Sequence, residues 1–283
     1  MTYGIKMMIW AGLTFAFMNV FIKLTPGIPS SEIVFFRAII SLILSAVILK
    51  RKRMSFWGNN RKVLILRGLF GTMALVMFFY SLHKLPLAAA MVVHYLSPIF
   101  TAVIAHFYLR EKLKWVQVLF FSISFAGILL MKQVDERLQW FPVLAGVGGA
   151  LFSGAAYNCI RKLKFTENSN VIIFYFPFLA VPITLAIVLI TGNWVWPSVK
   201  EYGYLVIIGV LTQIAQHFLT KAYQSEMANK VAAVSNLGVI YGLVLGYLIF
   251  NDVFNVWSIL GMALVVIGVV LNLYFDKQKS PKI

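Results

Sequence analysis

Two arginines lie inside long apolar runs of this 283-residue sequence. Arg37 stands about six residues into the run 31–49, and Arg67 lies about one turn from the start of the run 63–82. A charge at the centre of an apolar helix costs about 2.5–3.5 kcal/mol on membrane-insertion scales. Arg37 therefore either faces a polar cavity, where it would bind a carboxylate or phosphate, or it snorkels or pairs within the protein. Arg67 is nearer the end of its run, can snorkel more easily, and has the same alternatives.

His94 and Pro98 form a second candidate unit. Proline has no N–H to donate to the carbonyl four residues earlier, which here belongs to His94. The sequence predicts a kink with a free polar group, which is tolerated at membrane depth only against protein or a watery cavity. The His94 side chain is a candidate substrate contact or proton-sensitive group. A buried histidine satisfied by a neighbouring helix is the alternative.

Further polar side chains interrupt the later apolar runs. Gln213, Gln216 and His217 follow the i, i+3, i+4 pattern and share one helix face. That face is expected to contact other helices or a cavity rather than lipid. Four more residues are candidate substrate contacts: Tyr157, Asn158, Asn236 and Tyr241. Tyr80 is either an interfacial anchor or part of a cavity wall.

The composition around these residues excludes an ordinary soluble protein. Hydrophobic residues make up 61% of the chain and charged residues 12%, against about 45–50% and about 25% in soluble domains. The apolar runs are continuous over about 20 residues, the length of a membrane-spanning helix, whereas a transmembrane barrel alternates in segments of about ten residues. The sequence predicts an all-α membrane protein. The net charge of +16 is then attributed to basic cytoplasmic loops rather than to nucleic-acid binding.

Ten membrane spans are predicted from the apolar runs and the breaks between them. They cover 3–23, 31–49, 63–82, 87–109, 115–132, 140–160, 171–191, 202–221, 230–250 and 255–275. Eighteen of the 25 Lys and Arg fall in connections on one side and five on the other. By the positive-inside rule both termini are cytoplasmic. The expected location is the inner or plasma membrane.

The second half of the chain resembles the first. A shift of 141 residues aligns spans three to five with spans eight to ten without gaps, and a shift of 139 aligns the first two spans with the sixth and seventh. Phe176 is thereby the counterpart of Arg37. Since each copy has five spans, the second crosses the membrane upside down. We predict two inverted five-helix repeats, 1–133 and 134–283, around a central cavity, an architecture used for alternating access.

The aligned halves share a stripe of small residues. The stripe comprises Ser97, Thr101 and Ala105 in the fourth span and Gly238, Gly242 and Gly246 in the ninth. Small residues four positions apart let helix backbones approach closely. We therefore expect the fourth and ninth spans to cross closely.

Two other patterns predict local geometry. Glu111 and Asp252 occupy equivalent positions and are expected to cap the fifth and tenth spans at their N-termini. Pro177 and Pro182 are expected to bend the seventh span, as a gate would require.

Several chemistries lack the residues that they need. None of the nine acidic residues lies mid-span, whereas a proton-coupled antiporter usually carries an intramembrane carboxylate. An exchanger, a facilitator or a carrier using His94 or His217 is favoured, and a purely cationic substrate is disfavoured. The sequence has no Gly-rich phosphate loop, metal-ligand cluster or defensible nucleophile–base pair. We therefore predict neither an enzyme nor a bound metal or cofactor.

A series of short motifs runs through the first half in a fixed order. They are Phe35-Phe36-Arg37-Ala38, Arg67-Gly68, Tyr80-Ser81-Leu82-His83-Lys84-Leu85-Pro86-Leu87-Ala88, Leu96-Ser97-Pro98-Ile99-Phe100 and Leu109-Arg110-Glu111-Lys112-Leu113. In order and spacing they resemble the drug/metabolite transporter superfamily, in particular its ten-helix EamA-type members. The resemblance covers essentially the whole chain and implies the fold, transport and a central cavity.

The resemblance does not extend to a substrate. A subgroup that includes S-adenosylmethionine uptake carriers often has an acidic residue just after its Leu-Pro-Leu-Ala segment. This chain has Ala88-Ala89-Ala90 there. The identity of the substrate is therefore not carried over.

The sequence predicts a secondary transporter of a small polar metabolite with an anionic or zwitterionic group, which Arg37 would bind. An intramembrane enzyme, a scramblase-like lipid-handling protein and a cationic drug exporter are the alternatives. The expected partners are a small-molecule substrate and membrane lipids, with no nucleic acid. The sequence does not determine the oligomeric state, and a monomer would suffice for transport.

Overall fold

The computed structural model describes residues 2–109, 115–192, 194–225, 231, 234–235 and 237–276, and every regular element in these ranges is a helix. Eleven helices are bounded there: α1 Tyr3–Lys23, α2 Ser30–Arg51, α3 Arg61–Lys84, α4 Leu87–His94, α5 Ser97–Leu109, α6 Trp115–Val134, α7 Trp140–Leu163, α8 Ser169–Thr191, α9 Val199–Ser225, α10 Leu237–Phe250 and α11 Val256–Asp276. Within the described residues, seven segments are long and apolar enough to cross a membrane, and three shorter helices are also apolar.

The predicted span 87–109 is not one helix. It is divided into α4 and α5 at Tyr95 and Leu96, immediately before Pro98. The N–H of Tyr95 still donates to the Met91 carbonyl at 3.0 Å, and the N–H of Ile99 donates to the Leu96 carbonyl at 2.9 Å. The interruption falls where proline deprives the His94 carbonyl of its usual helical donor. The two halves of the span therefore need not share a direction.

Helix α8, in contrast, is uninterrupted. It continues from Ser169 to Thr191 through both Pro177 and Pro182. The Asn168 side chain caps its start by accepting the N–H of Asn170, and Gly192 ends it in the left-handed conformation at φ 64°. The two prolines, where the sequence predicts a bend that could act as a gate, do not break the helix.

Glycines bring several helix pairs into close contact. A Cβ atom on Gly127 in α6 would lie 2.5 Å from the carbonyl oxygen of Gly261 in α11. A Cβ atom on Gly149 in α7 would lie 3.0 Å from the carbonyl oxygen of Ala74 in α3. These backbones can therefore approach only because no side chain intervenes.

The small-residue stripe divides between two neighbours. Cβ atoms on Gly238 and Gly242 in α10 would meet Tyr95 and Met91. A Cβ atom on Gly246 would lie 3.2 Å from the Asp252 carboxylate and 3.7 Å from the Cβ atom of Leu87. The fourth and ninth spans thus cross closely in their α4 and α10 parts. The α5 part of the stripe lies elsewhere, because the break before Pro98 separates it from α4.

Helix α5 packs against α7. A Cβ atom on Gly154 would lie 2.8 Å from the backbone nitrogen of Thr101, and the side chain of Asn158 donates to the Thr101 carbonyl at 3.0 Å. Ser97 and Ala105 are also buried. Thr101 therefore contacts α7 rather than α10, contrary to a simple pairing of the two stripes.

Asp252 does not cap the tenth span. Helix α11 begins at Val256, and the Asn255 side chain accepts the N–H of Ser258 at 2.7 Å. The Asp252 carboxylate instead accepts the N–H of Leu87, the first residue of α4, at 3.1 Å. The prediction was wrong because it assumed that an acid next to an apolar run caps that run. Its counterpart Glu111 lies outside the described residues.

The end of the molecule around Asp252 is held by charged side chains. Lys23 Nζ lies 3.7 Å from the Asp252 carboxylate and donates to the Leu85 carbonyl at 3.0 Å. Arg137 donates to the Val253 carbonyl at 2.9 Å. These contacts join the ends of α1, α3, α10 and the segment before α11. We call Lys23, Asp252 and Arg137 the polar latch.

Candidate functional site

A cavity of about 120 Å³ lies among the helices. It is lined by residues of α1, α2, α3, α4, α5, α7, α8 and α9, together with Tyr95 and Ser235. Its polar lining comprises Asn19, Arg37, Arg67, His94, Tyr95, Ser97, Ser153, Tyr157, Gln216, Tyr223 and Ser235. None of the described lining residues is acidic. The cavity therefore presents positive charge and neutral polar groups inside an apolar bundle.

Arg37 enters this cavity from α2 and is 1% exposed. Its guanidinium carbon lies 5.2 Å from the ring centre of Phe79 and 5.8 Å from that of Phe176. Neither terminal nitrogen, Nη1 or Nη2, has a hydrogen-bond partner among the described residues. The rings hold the guanidinium in place by cation–π attraction but satisfy none of its N–H groups. The alternative, that Arg37 is paired within the protein, would need a hydrogen-bond or ion-pair partner for these nitrogens, and the described part of the chain supplies none.

Arg67 reaches the same cavity from α3 and is 3% exposed. Its guanidinium carbon lies 5.0 Å from the Phe176 ring centre, and its Nε has no partner among the described atoms. A Cβ atom on Gly71, one turn further along α3, would collide with Nη1 of Arg67 and approach the Phe176 ring to 2.8 Å. Gly71 therefore provides the space that this arginine occupies.

His94 lines the cavity at the end of α4. Its ring centre lies 4.2 Å from that of Phe78, at an interplanar angle of 33°. Its Nδ1 is buried and has no partner among the described residues. Pro98 lines the cavity as well. The interrupted span thus brings a buried imidazole nitrogen without a described partner to the cavity.

Three tyrosines form another part of the wall. Tyr157 and Tyr223 are stacked, with ring centres 5.3 Å apart and an interplanar angle of 22°. Tyr95 occupies the helix break, and its hydroxyl lies where a side chain on Gly238 would be. Of these three, the sequence analysis identified only Tyr157. With twelve tyrosines in the chain, residue type alone did not distinguish Tyr95 and Tyr223.

The polar face of α9 divides between two environments. Gln216 lines the cavity, whereas Gln213 accepts hydrogen bonds from Ser41 at 2.6 Å and Ser45 at 3.2 Å in α2. His217 is half-buried, lies outside the cavity lining and packs on Phe218 with ring centres 6.3 Å apart. The i, i+3, i+4 pattern predicted that this face contacts protein or a cavity. It did not predict which residue lines the cavity and which lies at the interface with α2.

Other candidate contacts also lie away from the cavity lining. Asn158 donates to the carbonyls of Thr101 and Gly154, both at 3.0 Å. Tyr241 packs beside Gly12, and Tyr80 packs edge-on against Phe141 with ring centres 5.5 Å apart. Asn236 lies outside the described residues. Asn19, which is not among the residues predicted from the sequence, does line the cavity, and its side-chain oxygen lacks a partner among the described atoms.

The arrangement suits recognition of an anion. Arginine presents planar, permanently charged N–H groups that bind carboxylate or phosphate, and two such groups meet in a cavity whose described lining has no carboxylate. Among the described residues, no group of three His, Cys, Asp or Glu could hold a metal ion.

Comparisons with known proteins identify relatives across nearly the whole chain. The chain is 29% identical over 268 residues to the pseudopaline exporter CntI of Pseudomonas aeruginosa, covering 94% of each chain. It is 25% identical to human solute carrier family 35 member G1, covering 98% of this chain and 81% of that protein. It is also 25% identical to the S-adenosylmethionine uptake transporter of Rickettsia conorii, covering 89% and 85%. These relatives are transporters rather than enzymes.

A solved crystal structure shares the fold. It superposes with a TM-score of 0.68 at 16% sequence identity, covering 96% of this chain and 98% of the other. The sequence profile of the EamA-like transporter family matches residues 2–132 and 140–274. With its membrane-spanning helices, the chain is a multi-pass membrane protein, and it belongs to the EamA-like transporter family.

Proposed function

We propose that this protein is a secondary transporter of a small polar metabolite that carries an anionic group, alone or within a zwitterion. The observation that carries the proposal is Arg37, which is buried in the cavity with both terminal nitrogens unpartnered among the described residues. Transfer of such a charge from water costs several kcal/mol unless an opposite charge and hydrogen bonds compensate it. A bound carboxylate or phosphate would supply both.

The rest of the cavity would recognise the remainder of the substrate. His94 and Asn19 present unpartnered polar atoms, and Gln216 adds an amide. The Tyr157–Tyr223 stack supplies a flat aromatic wall with two hydroxyl groups. This lining suits a metabolite with polar groups beyond its negative charge.

We further propose that two inverted five-helix repeats rock about this cavity in alternating access. The helix packing supports the proposal, because helix pairs in contact correspond to one another when each helix is replaced by its equivalent in the other half of the chain. The α1–α9 pair becomes α7–α3, and the α2–α9 pair becomes α8–α3; all four pairs are in contact. The α2–α8, α4–α10 and α6–α11 pairs map onto themselves and also pack. A pseudo-two-fold axis in the membrane plane has these properties.

The polar latch would close one end of the pathway in this conformation. Lys23 and Asp252 tie together chain segments at that end. The cavity lining extends along α1 from Met8 to Asn19 and includes Tyr223 near the end of α9. With both termini in the cytoplasm of an inner or plasma membrane, as the loop charges favour, the polar latch lies at the outer end of the protein, because Lys23 ends α1.

Ligand-dependent thermal stabilisation of the purified protein tests the proposal. The panel contains amino acids, nucleosides, S-adenosylmethionine, organic anions and cationic drugs. A ligand at 100 times its Kd stabilises the folded state by about 2.7 kcal/mol. We expect stabilisation by anionic or zwitterionic compounds that is lost in Arg37→Leu. Stabilisation by cations alone, unchanged in that variant, would contradict the assignment and favour a drug exporter.

A further inference from the structure

We infer that the substrate carries two anionic groups, one for each cavity arginine, and that its class is a small dicarboxylate or an equivalent dianion. The inference rests on the proposed function and specifies its substrate class. Arg37 and Arg67 belong to different helices, yet both line the same cavity.

The two guanidinium groups are close enough for one small molecule to reach both. Their carbons lie 5.8 Å and 5.0 Å from the centre of the Phe176 ring, so their separation cannot exceed the sum of these distances. The Phe176 ring contacts both cations. Two carboxylates joined by a chain of a few carbons span such a separation.

Charge balance among the described residues favours a second anionic group. Arg37 and Arg67 are both almost completely buried, and each has at least one nitrogen without a partner among the described residues. Both guanidinium groups pack against the Phe176 ring, and the described cavity lining supplies no carboxylate. A monoanion would compensate one guanidinium and leave the other buried without an opposite charge. A dianion compensates both.

The remaining polar lining is suited to neutral groups. His94 contacts Phe78. The ring centre of Phe78 lies 6.0 Å from that of Phe79, and Phe79 is the ring against which Arg37 packs. Gln216 and the tyrosines carry no formal charge at neutral pH. The anionic groups of the substrate are therefore assigned to the Arg37–Phe176–Arg67 part of the cavity.

Matched acids of equal length test the inference on the purified full chain. Succinate, glutarate and adipate are compared with butyrate, valerate and hexanoate by ligand-dependent thermal stabilisation. We expect a Kd about tenfold or more lower for the best dicarboxylate than for its monocarboxylate partner, since a hydrogen bond to a charged group contributes about a factor of ten or more. Arg67→Gln should reduce the dicarboxylate to the affinity of the monocarboxylate, and Arg37→Gln should abolish the binding of both. The exposed Arg51→Gln should change neither.

The outcomes separate this inference from the proposed function. Equal binding of mono- and dicarboxylates that depends on Arg37 but not on Arg67 would overturn the dianion and leave an anion transporter. Failure of every acid to bind would overturn the dianion, and the proposed function falls as well only if the anionic and zwitterionic compounds of the larger panel also fail. A dicarboxylate preference that survives both glutamine variants would also overturn the inference, since another part of the protein would then bind the anions.

Discussion

Arg37 and Arg67 approach one aromatic side chain from two helices, with guanidinium carbons 5.8 Å and 5.0 Å from the ring centre of Phe176. Each cation–π contact contributes about 0.5–2 kcal/mol, less than the several kcal/mol that desolvation of a buried ion costs. The ring therefore orients the arginines without compensating their burial. Phe176 is also the predicted repeat counterpart of Arg37. On this alignment the first half of the chain supplies the arginine, and the second half supplies the aromatic ring that contacts it.

Replacement of Arg37 by methionine should stabilise the protein in the absence of ligand. Methionine fills a similar volume without a buried charge, and even the replacement of a buried ion pair by apolar residues is often neutral or stabilising by about 1–4 kcal/mol. The Tm of the unliganded protein should rise while anion-dependent stabilisation is lost. Arg37→Lys is the matched control, because it keeps the charge and should give no such gain. A marked loss of Tm in the methionine variant would assign Arg37 a structural role instead.

Gly71→Ala should disturb the anion site specifically. The added Cβ would collide with Arg67 and lie within 2.9 Å of two atoms of the Phe176 ring. Overpacking of this kind costs about 1–3 kcal/mol, and we expect weaker anion binding in addition to a lower Tm. Gly203→Ala in α9 is the control: its Cβ would meet nothing within 4 Å, and alanine favours a helix by about 1 kcal/mol. Undiminished anion binding in Gly71→Ala would show that the position of Arg67 is unimportant.

A charge exchange in the polar latch should reveal its part in transport. Lys23 and Asp252 are 3.7 Å apart, and both side chains are largely buried. Lys23→Asp and Asp252→Lys each place like charges together, and we expect each to slow transport about tenfold, equivalent to about 1.4 kcal/mol. The double variant should recover much of the lost rate. If the double variant is as slow as the singles combined, the pair does not act as a latch.

Stability should depend on pH through Asp135, which lies in the connection after α6. Hydrogen bonds from the Arg137 guanidinium, at 3.0 and 2.8 Å, hold the pKa of Asp135 below its ordinary value. Since the folded pKa is the lower one, the contribution is complete above about pH 4, the ordinary Asp value, and is lost as pH falls through the folded pKa. The pair is partly exposed, so we expect about 0.5 kcal/mol or less.

Tm measured against pH in wild type and Asp135→Asn checks this expectation. The difference between the two curves should be constant near neutral pH and shrink in acid. A difference that grows as the pH falls would contradict the sign of the pKa shift.

Helix positions were predictable because the apolar runs are long and sharply bounded. Helix α1 has the predicted limits, 3–23. The break in the fourth span was predictable as a kink from Pro98, although its division into two helices depends on how Tyr95 and Leu96 pack. The role of Asp252 was not predictable, because its acceptor contact is with Leu87, 165 residues away in sequence.

The cavity itself was only partly predictable. Arg37, Arg67 and His94 stood out because charged or titratable groups inside apolar helices demand a polar environment. Tyr95 and Tyr223 did not, since tyrosine is common at interfaces, in cores and in cavities alike. Gln213 and Gln216 share one face in sequence, but only the rotation of α9 against α2 directs one to Ser41 and the other to the cavity.

Counterflow in proteoliposomes tests the central claim most directly. Vesicles containing the protein are loaded with an unlabelled anion that stabilises it, and uptake of the labelled anion is followed in wild type and Arg37→Met. We predict rapid exchange in wild type and uptake at the level of protein-free vesicles in the variant. Binding without exchange in wild type, or exchange unaffected by Arg37→Met, would contradict transport through this cavity. Lipid scrambling in the same vesicles would instead support the lipid-handling alternative.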